Sequence, residues 1–122
     1  MRVTTLLSRV IGIKYTRIVD AYFEDEELRV EVAPTTRVPR CSGCGFCVER
    51  IYDSRQRSWR HLDLAGTRTV FQYRIRRVDC PRCGVVVEMV PWAEAGSWFT
   101  HDFEQTAAYL ALTRRAVDTA LT

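Results

Sequence analysis

Two cysteine clips, Cys41-x2-Cys44 and Cys80-x2-Cys83, are the residues of this chain best suited to chemistry. Two intervening residues let the backbone turn so that both sulfurs of a clip face one ion, and Gly45 and Gly84 follow each clip where the chain bends back. Together the clips supply four thiolates, the tetrahedral all-sulfur shell of a single structural Zn2+. Such a shell leaves no position for a substrate or an activated water, so it holds a fold rather than catalysing. Two rival uses stay open. A redox C-x-x-C belongs near a βαβ pattern, whereas these clips sit among strand-like residues, and cysteines can also be incidental. Cys47 is spaced from Cys44 as the clip cysteines are from each other. Cys41 and Cys44 are the better pair, because Gly45 then stands after the second ligand as Gly84 stands after Cys83. Cys47 is expected to be a spare buried thiol, with exchange into the ligand set as the alternative.

The elements that must position these cysteines are read from periodicity. Val3, Leu6, Leu7, Val10 and Ile11 have helical spacing that ends at Gly12. Residues 18–23 and 28–33 read as a hairpin, since Leu28, Val30 and Val32 alternate with Arg29 and Glu31 and four acidic residues crowd the turn between the strands. Residues 47–66 look irregular or partly stranded, closing in a turn over Asp63–Gly66. Thr67–Asp79 is the strongest strand, with Phe71, Tyr73 and Ile75 on one face and Arg68, Gln72, Arg74 and Arg76 on the other. Its apolar face is expected to pack beneath the clips, with Val85–Val90 alongside. Residues 91–100 read as a linker. Thr100 then caps a helix whose first turn carries Asp102 and Glu104, and a second helix is expected after Thr113.

Composition bounds the function. The chain has 122 residues, 47% of them hydrophobic, which is single-domain size. No apolar run approaches the ~18 residues of a spanning helix, and no secretory h-region opens the chain. With five cysteines in clip spacing, an odd number unsuited to a disulfide framework, a reducing cytoplasm is expected. The net charge of +3 hides a strong asymmetry. Residues 37–82 hold eleven arginines against four acidic residues, while both flanking segments are net acidic. Arginine's planar fork suits phosphates and guanine edges, and the clustering puts the basic charge where a polyanion would be met.

Several segments carry a further likeness: Cys41-Ser42-Gly43-Cys44-Gly45, Arg60-His61-Leu62-Asp63-Leu64-Ala65-Gly66, and Arg76-Arg77-Val78-Asp79-Cys80-Pro81-Arg82-Cys83-Gly84. Glu88-Met89-Val90-Pro91-Trp92-Ala93 and Phe99-Thr100-His101-Asp102-Phe103-Glu104 continue it. In this order the chain resembles the N-terminal zinc-finger region of the ISL-three family of bacterial insertion-sequence transposases. The resemblance implies a zinc module followed by a helix-turn-helix, ahead of a ribonuclease-H-like core whose three carboxylates hold divalent metal. It also implies binding to the element's terminal repeats. The chain stops short of such a core, so it is expected to bind DNA and not to cut it.

The expected fold is α+β: a small, zinc-stabilised, β-rich, ribbon-like finger with an N-terminal helix and a C-terminal helical pair, the start of a helix-turn-helix. Residues 1–90 form the finger domain, 91–100 the linker and 101–122 the helical segment. The zinc ligands are Cys41, Cys44, Cys80 and Cys83. Arg68, Arg74, Arg76 and Arg77 are the first candidates for contact with double-stranded DNA, and Arg55, Arg57 and Arg60 the second. His61 and Asp63 read as hydrogen-bonding groups that hold the Gly66 turn, with DNA contact and acid–base chemistry as lesser roles. The alternative function is a protein-interaction module for transposase self-assembly or regulation.

Overall fold

The computed structural model describes residues 3–121, with side chains over residues 4–112. Its elements run α1 (Val3–Ile11), β1 (Thr16–Glu24), β2 (Glu27–Pro34), β3 (Ile51–Leu64), β4 (Thr67–Cys80), β5 (Gly84–Val87) and α2 (His101–Leu121). The strands form one sheet in the order β1-β2-β4-β3, and β5 lies against β4. β1–β2 and β3–β4 are antiparallel hairpins, and β2 runs parallel to β4 from Leu28–Glu31 against Thr69–Gln72.

Local chemistry sets the turns. α1 stops where Gly12 takes φ 61° and its N–H bonds the Ser8 carbonyl at 2.9 Å, a left-handed helix cap. The two hairpins turn through pairs with positive φ, Asp25-Glu26 and Ala65-Gly66, whose hand matches the twist of the flanking strands. In the first, Glu26 and Asp25 both adopt the left-handed region without a glycine. Arg29 offsets part of the acidic crowding there, lying 3.6 Å from Glu27 and 3.9 Å from Asp25.

One face of the sheet is buried and the other is largely open. Cross-strand partners in the register share a face, so Val30, Phe71 and Trp59 lie on one side, with Ile18, Val32 and Ile75. These residues pack with Val90, Trp92 and Ala93 into the main core. Trp92 joins it by edge-on ring contacts to Trp59 and Tyr73, each with centroids 5.4 Å apart. Residues 91–100 therefore do more than connect: Trp92 and Ala93 are core residues, and Arg60 bonds along Trp98–Thr100 through its N–H and carbonyl, both at 2.9 Å.

Two expectations are corrected and one is sharpened. Residues 51–64, expected to be irregular or partly stranded, are one continuous strand, because β4 supplies the ladder and only Trp59 and His61 need to be deeply buried. The apolar face of β4 packs against Trp92 and the hairpin, not beneath the clips, where Val48, Val78 and Val86 form a separate small cluster with Cys41 and Cys80. The C-terminal helical pair is replaced by the single helix α2, since no glycine or proline interrupts the good helix formers around Thr113. The second-helix residues beyond Leu112 have no described side chains.

Candidate metal centre and nucleic-acid interface

The four clip cysteines come from two places that the sheet brings together. Cys80 ends β4 and Cys83 sits in the turn before β5, while Cys41 is anchored by a β-bridge to Glu88 and Cys44 lies in the turn that follows. Their sulfurs all lie within 4.8 Å of one another, and those of Cys44 and Cys80 are 3.7 Å apart. A tetrahedron with metal–sulfur bonds near 2.3 Å has edges of about 3.8 Å, so the spacing fits one zinc ion.

The surroundings also fit. Gly45 and Gly84 have φ 75° and 79°, the left-handed conformation expected after each clip. Gly43 is required for another reason: a Cβ there would stand 2.9 Å from the Cys83 sulfur. Its N–H donates to the Cys41 sulfur at 3.3 Å. Burial opposes ionisation of Cys41, yet the backbone N–H groups of Cys44 and Gly43 and the neighbouring thiols outweigh it, and the thiol is lowered to about 7. Hydrogen bonding to Cys41 and Cys44 instead pushes Cys83 up to about 12. Four sulfurs this close cannot all ionise without a cation among them. Among the described residues this is the one group of histidine, cysteine or carboxylate side chains placed to hold a metal ion. Cys47 is outside it and exposed, not buried as its sequence context suggested, and its backbone forms a β-bridge with Arg40.

The seven candidate arginines do not form one surface. Register places Arg60, Arg74 and Arg76 on the open face, with Arg68 on the same alternation, whereas Arg55, Arg57 and Arg77 project from the core side near its end. Several are already engaged. Arg68 pairs with Glu27 at 3.1 Å, Arg60 with Asp63 at 3.0 Å, and Arg77 forks onto Asp53. Arg76 is held by Glu88, which is 2% exposed and accepts from the Arg76 backbone N–H, Nε and Nη2 and from the Tyr73 hydroxyl, all within 2.8–3.0 Å. Burial and then Glu88 push Tyr73 up to about 12. Arg57 lies over Trp59 and Trp98, and Arg74 bonds Ser54. Among the described residues, Arg37, Arg40, Arg55, Arg57, Arg74 and Arg82 have no carboxylate within ion-pair distance.

Glu88, which organises Arg76 and Tyr73, is not singled out by the sequence reading. Its signal was there: a single carboxylate inside the apolar run Val85–Val90. His61 and Asp63 separate in role. Asp63 stays exposed with Arg60, while His61 is buried, stacks on Phe71 at 4.5 Å and meets the Thr100 hydroxyl at 2.8 Å. His61 thus ties β3 to the N-cap of α2, where Thr100 also accepts the Phe103 N–H at 3.2 Å. Burial lowers the His61 pKa, opposed by the Asp102 charge.

A sheet closed at one end by four converging sulfurs defines a zinc-ribbon-like finger. Comparison with known proteins says which kind. Residues 37–83 match the family described as the zinc-finger of transposase IS204/IS1001/IS1096/IS1165. Over 92% of its length the chain is 32% identical to the transposase for insertion sequence element IS1557 of Mycobacterium tuberculosis, in each of two strains. It spans 27% of the length of those relatives. No solved structure matches it significantly. The finger is therefore of the ISL-three transposase type, and zinc is its structural cofactor. No described helix is long and apolar enough to cross a membrane.

Proposed function

We propose that this chain is the DNA-binding, zinc-braced N-terminal part of an insertion-sequence transposase, and that it acts in the cytoplasm on the terminal inverted repeats of its element. Cys41, Cys44, Cys80 and Cys83 are the zinc ligands. The ion supplies rigidity: it fixes the two clip turns to each other and so fixes the end of β4. The observation that carries the reading is the uneven neutralisation of the finger. Of the eleven arginines in residues 37–82, five are spent on carboxylates, whereas Arg37, Arg40, Arg55, Arg57, Arg74 and Arg82 remain to meet an external polyanion. Of the seven arginines singled out from the sequence, Arg74, Arg55 and Arg57 are now the leading phosphate contacts. Arg60, Arg68 and Arg77 can contribute by exchanging partners, and Arg76 serves mainly to orient its surroundings.

The same residues are proposed to bind without cutting. Two-metal phosphoryl chemistry needs hard oxygen ligands, and the metal-holding group among the described residues is entirely thiolate. The proposed division is into a finger of residues 1–90, a connecting segment of residues 91–100 and a helical segment from residue 101. The test is fluorescence anisotropy of the zinc-loaded chain with a terminal-repeat duplex and a scrambled duplex over a range of salt. Tighter binding to the repeat and a steep log–log loss of affinity with salt are expected. Equal affinity for both duplexes removes the terminal-repeat assignment, and no binding to either removes the DNA-binding one.

A second reading, self-association, has its own observation. α2 leaves Leu110 and Leu112 exposed at 59% and 65%. Light scattering without DNA distinguishes it, since a monomer across the working concentration range leaves the helix with no self-assembly role.

A further inference from the structure

β2 and β5 pair in succession with the same edge of β4 and leave a gap between them. β2 reaches Gln72 through Glu31, and β5 takes up the edge again at Arg77 with Val87. Residues 73–75 of β4 have no strand beside them on that edge, and Arg76 is met there by the Glu88 N–H, which donates to its carbonyl at 2.9 Å. Glu88 fills the inner side of the gap with its four-bonded carboxylate. What remains is a cavity of about 480 Å³ whose lining includes Arg17, Arg37, Arg76, Tyr73 and the hydroxyl-bearing Thr35 and Thr36, with no carboxylate.

The charge of this notch is not cancelled from within. Glu88 neutralises Arg76, whose Nη1 also reaches the Arg37 carbonyl at 3.4 Å and so fixes one wall. Arg17 and Arg37 are exposed and have no ion-pair partner among the described residues. They come from β1 and from the approach to the first clip, so the fold itself brings together two cations that are distant in sequence. Two unpaired guanidinium groups and two threonine hydroxyls suit a phosphate. Tyr73 has its ring occupied edge-on by Trp92, which leaves no flat apolar platform for a base.

We propose that this notch seats one phosphate of the DNA backbone, gripped by Arg17 and Arg37 against the wall that Arg76 and Glu88 hold in place. The inference rests on the DNA-binding reading and extends the interface from β3 and β4 to the β1–β2 hairpin. Because a phosphate carries no sequence information, the notch sets register and orientation on the duplex rather than specificity.

The test compares the zinc-loaded 122-residue chain with its Arg17→Ala/Arg37→Ala variant and with an Arg9→Ala/Lys14→Ala variant that removes the same charge elsewhere. Anisotropy is measured against both duplexes over a range of sodium chloride, with zinc content and melting temperature as controls on folding. For Arg17→Ala/Arg37→Ala the salt slope should fall by about 1, the value for one phosphate, and affinity should fall about tenfold on both duplexes alike. The charge-matched variant should lose clearly less. Unchanged slope and affinity in a folded Arg17→Ala/Arg37→Ala variant overturn the notch and leave the DNA-binding reading standing. Loss confined to the terminal-repeat duplex also overturns it, since the contact would then be reading sequence. If the wild type binds neither duplex, the DNA-binding reading falls and takes the backbone source with it. Nitrogen NMR of the arginine Nε–H groups against inorganic phosphate then tells whether the notch takes a free anion instead.

Discussion

The two ends of β4 are stabilised by opposite means. Around Phe71 and Ile75 the strand is buried by large side chains, with Trp59 and Trp92 each 1% exposed and aromatic edges meeting aromatic faces. Around Val78 and Cys80 the buried cluster is only Cys41, Val48, Val78 and Cys80, with Val86 at its margin. Valines and cysteines bury too little apolar surface to order the clip turns and the loop between Cys41 and Val48. The metal does there what tryptophan does at the other end. Small modules that cannot fill a core commonly depend on such a brace, and this chain shows both solutions along one strand.

Removing zinc should therefore have the largest effect and a local one. Apparent binding energies of structural zinc sites are about 10–16 kcal/mol, and they are available only to the folded site. With a chelator, or in Cys80→Ser, amide exchange of residues 40–48 and 80–88 should approach unfolded rates while the Phe71 and Trp59 amides keep part of their protection. Global unfolding would show that the two ends are one cooperative unit and erase the distinction. Unchanged exchange at the clips would show that zinc contributes no stability. Next in size, Trp59→Ala should cost about 3–5 kcal/mol in chemical denaturation, the usual range for deleting a large buried aromatic. Zinc should stay bound, as a metal-sensitive dye assay can check.

How much of this was legible in the sequence follows from the same contrast. The metal site was readable because its signal is local: clip spacing and a glycine after each clip suffice to place Cys41, Cys44, Cys80 and Cys83 together. α1, the first hairpin and β4 were readable because their apolar periods are clear. β3 was not, since Tyr52-Asp53-Ser54-Arg55-Gln56-Arg57-Ser58 has no buried face of its own and is a strand only because β4 lies beside it. Which arginines are already neutralised was not readable for a related reason. Alternation gives a face, but the carboxylate that neutralises each side chain comes from elsewhere: Glu27 for Arg68, Asp53 for Arg77, Glu88 for Arg76. Long-range pairing of this kind is invisible to periodicity.

Glu88 probes the seam between the two ends, because it follows β5 on the metal side and holds Tyr73 and Arg76 on the core side. Glu88→Gln removes the charge: the amide oxygen can still accept from the Arg76 backbone N–H and Nε and from the Tyr73 hydroxyl, which share Oε2, but an amide NH2 then faces Arg76 Nη2 where Oε1 accepted. Breaking a well-buried pair costs about 3–5 kcal/mol, and partial exposure of Arg76 lowers the expected loss to about 2 kcal/mol. Thermal melts of the zinc-loaded variant measure it. A loss as large as that of Trp59→Ala would mean that the seam, and not the aromatic cluster, is the main support of the sheet.

The smallest effect expected is on the pH dependence of the core end. His61 is buried against Phe71, and the simplest satisfied arrangement has the Thr100 hydroxyl accept from Phe103 N–H and donate to a neutral His61 Nδ1. Burial lowers the folded-state pKa despite Asp102, so the unfolded chain binds this proton more readily than the folded one. Stability from the neutral imidazole is then complete above the unfolded value of about 6.5 and is lost as pH falls from there toward the folded pKa. Denaturant midpoints measured with excess zinc between about pH 7.5 and 5.5 should decline on the acid side of that value, and His61→Gln should flatten the decline while lowering stability at neutral pH. Excess zinc is needed because protons also compete for thiolates, which would imitate the effect from the other end of β4. A decline that persists undiminished in His61→Gln would assign the acid sensitivity to the metal end, and the core end would then be pH-indifferent.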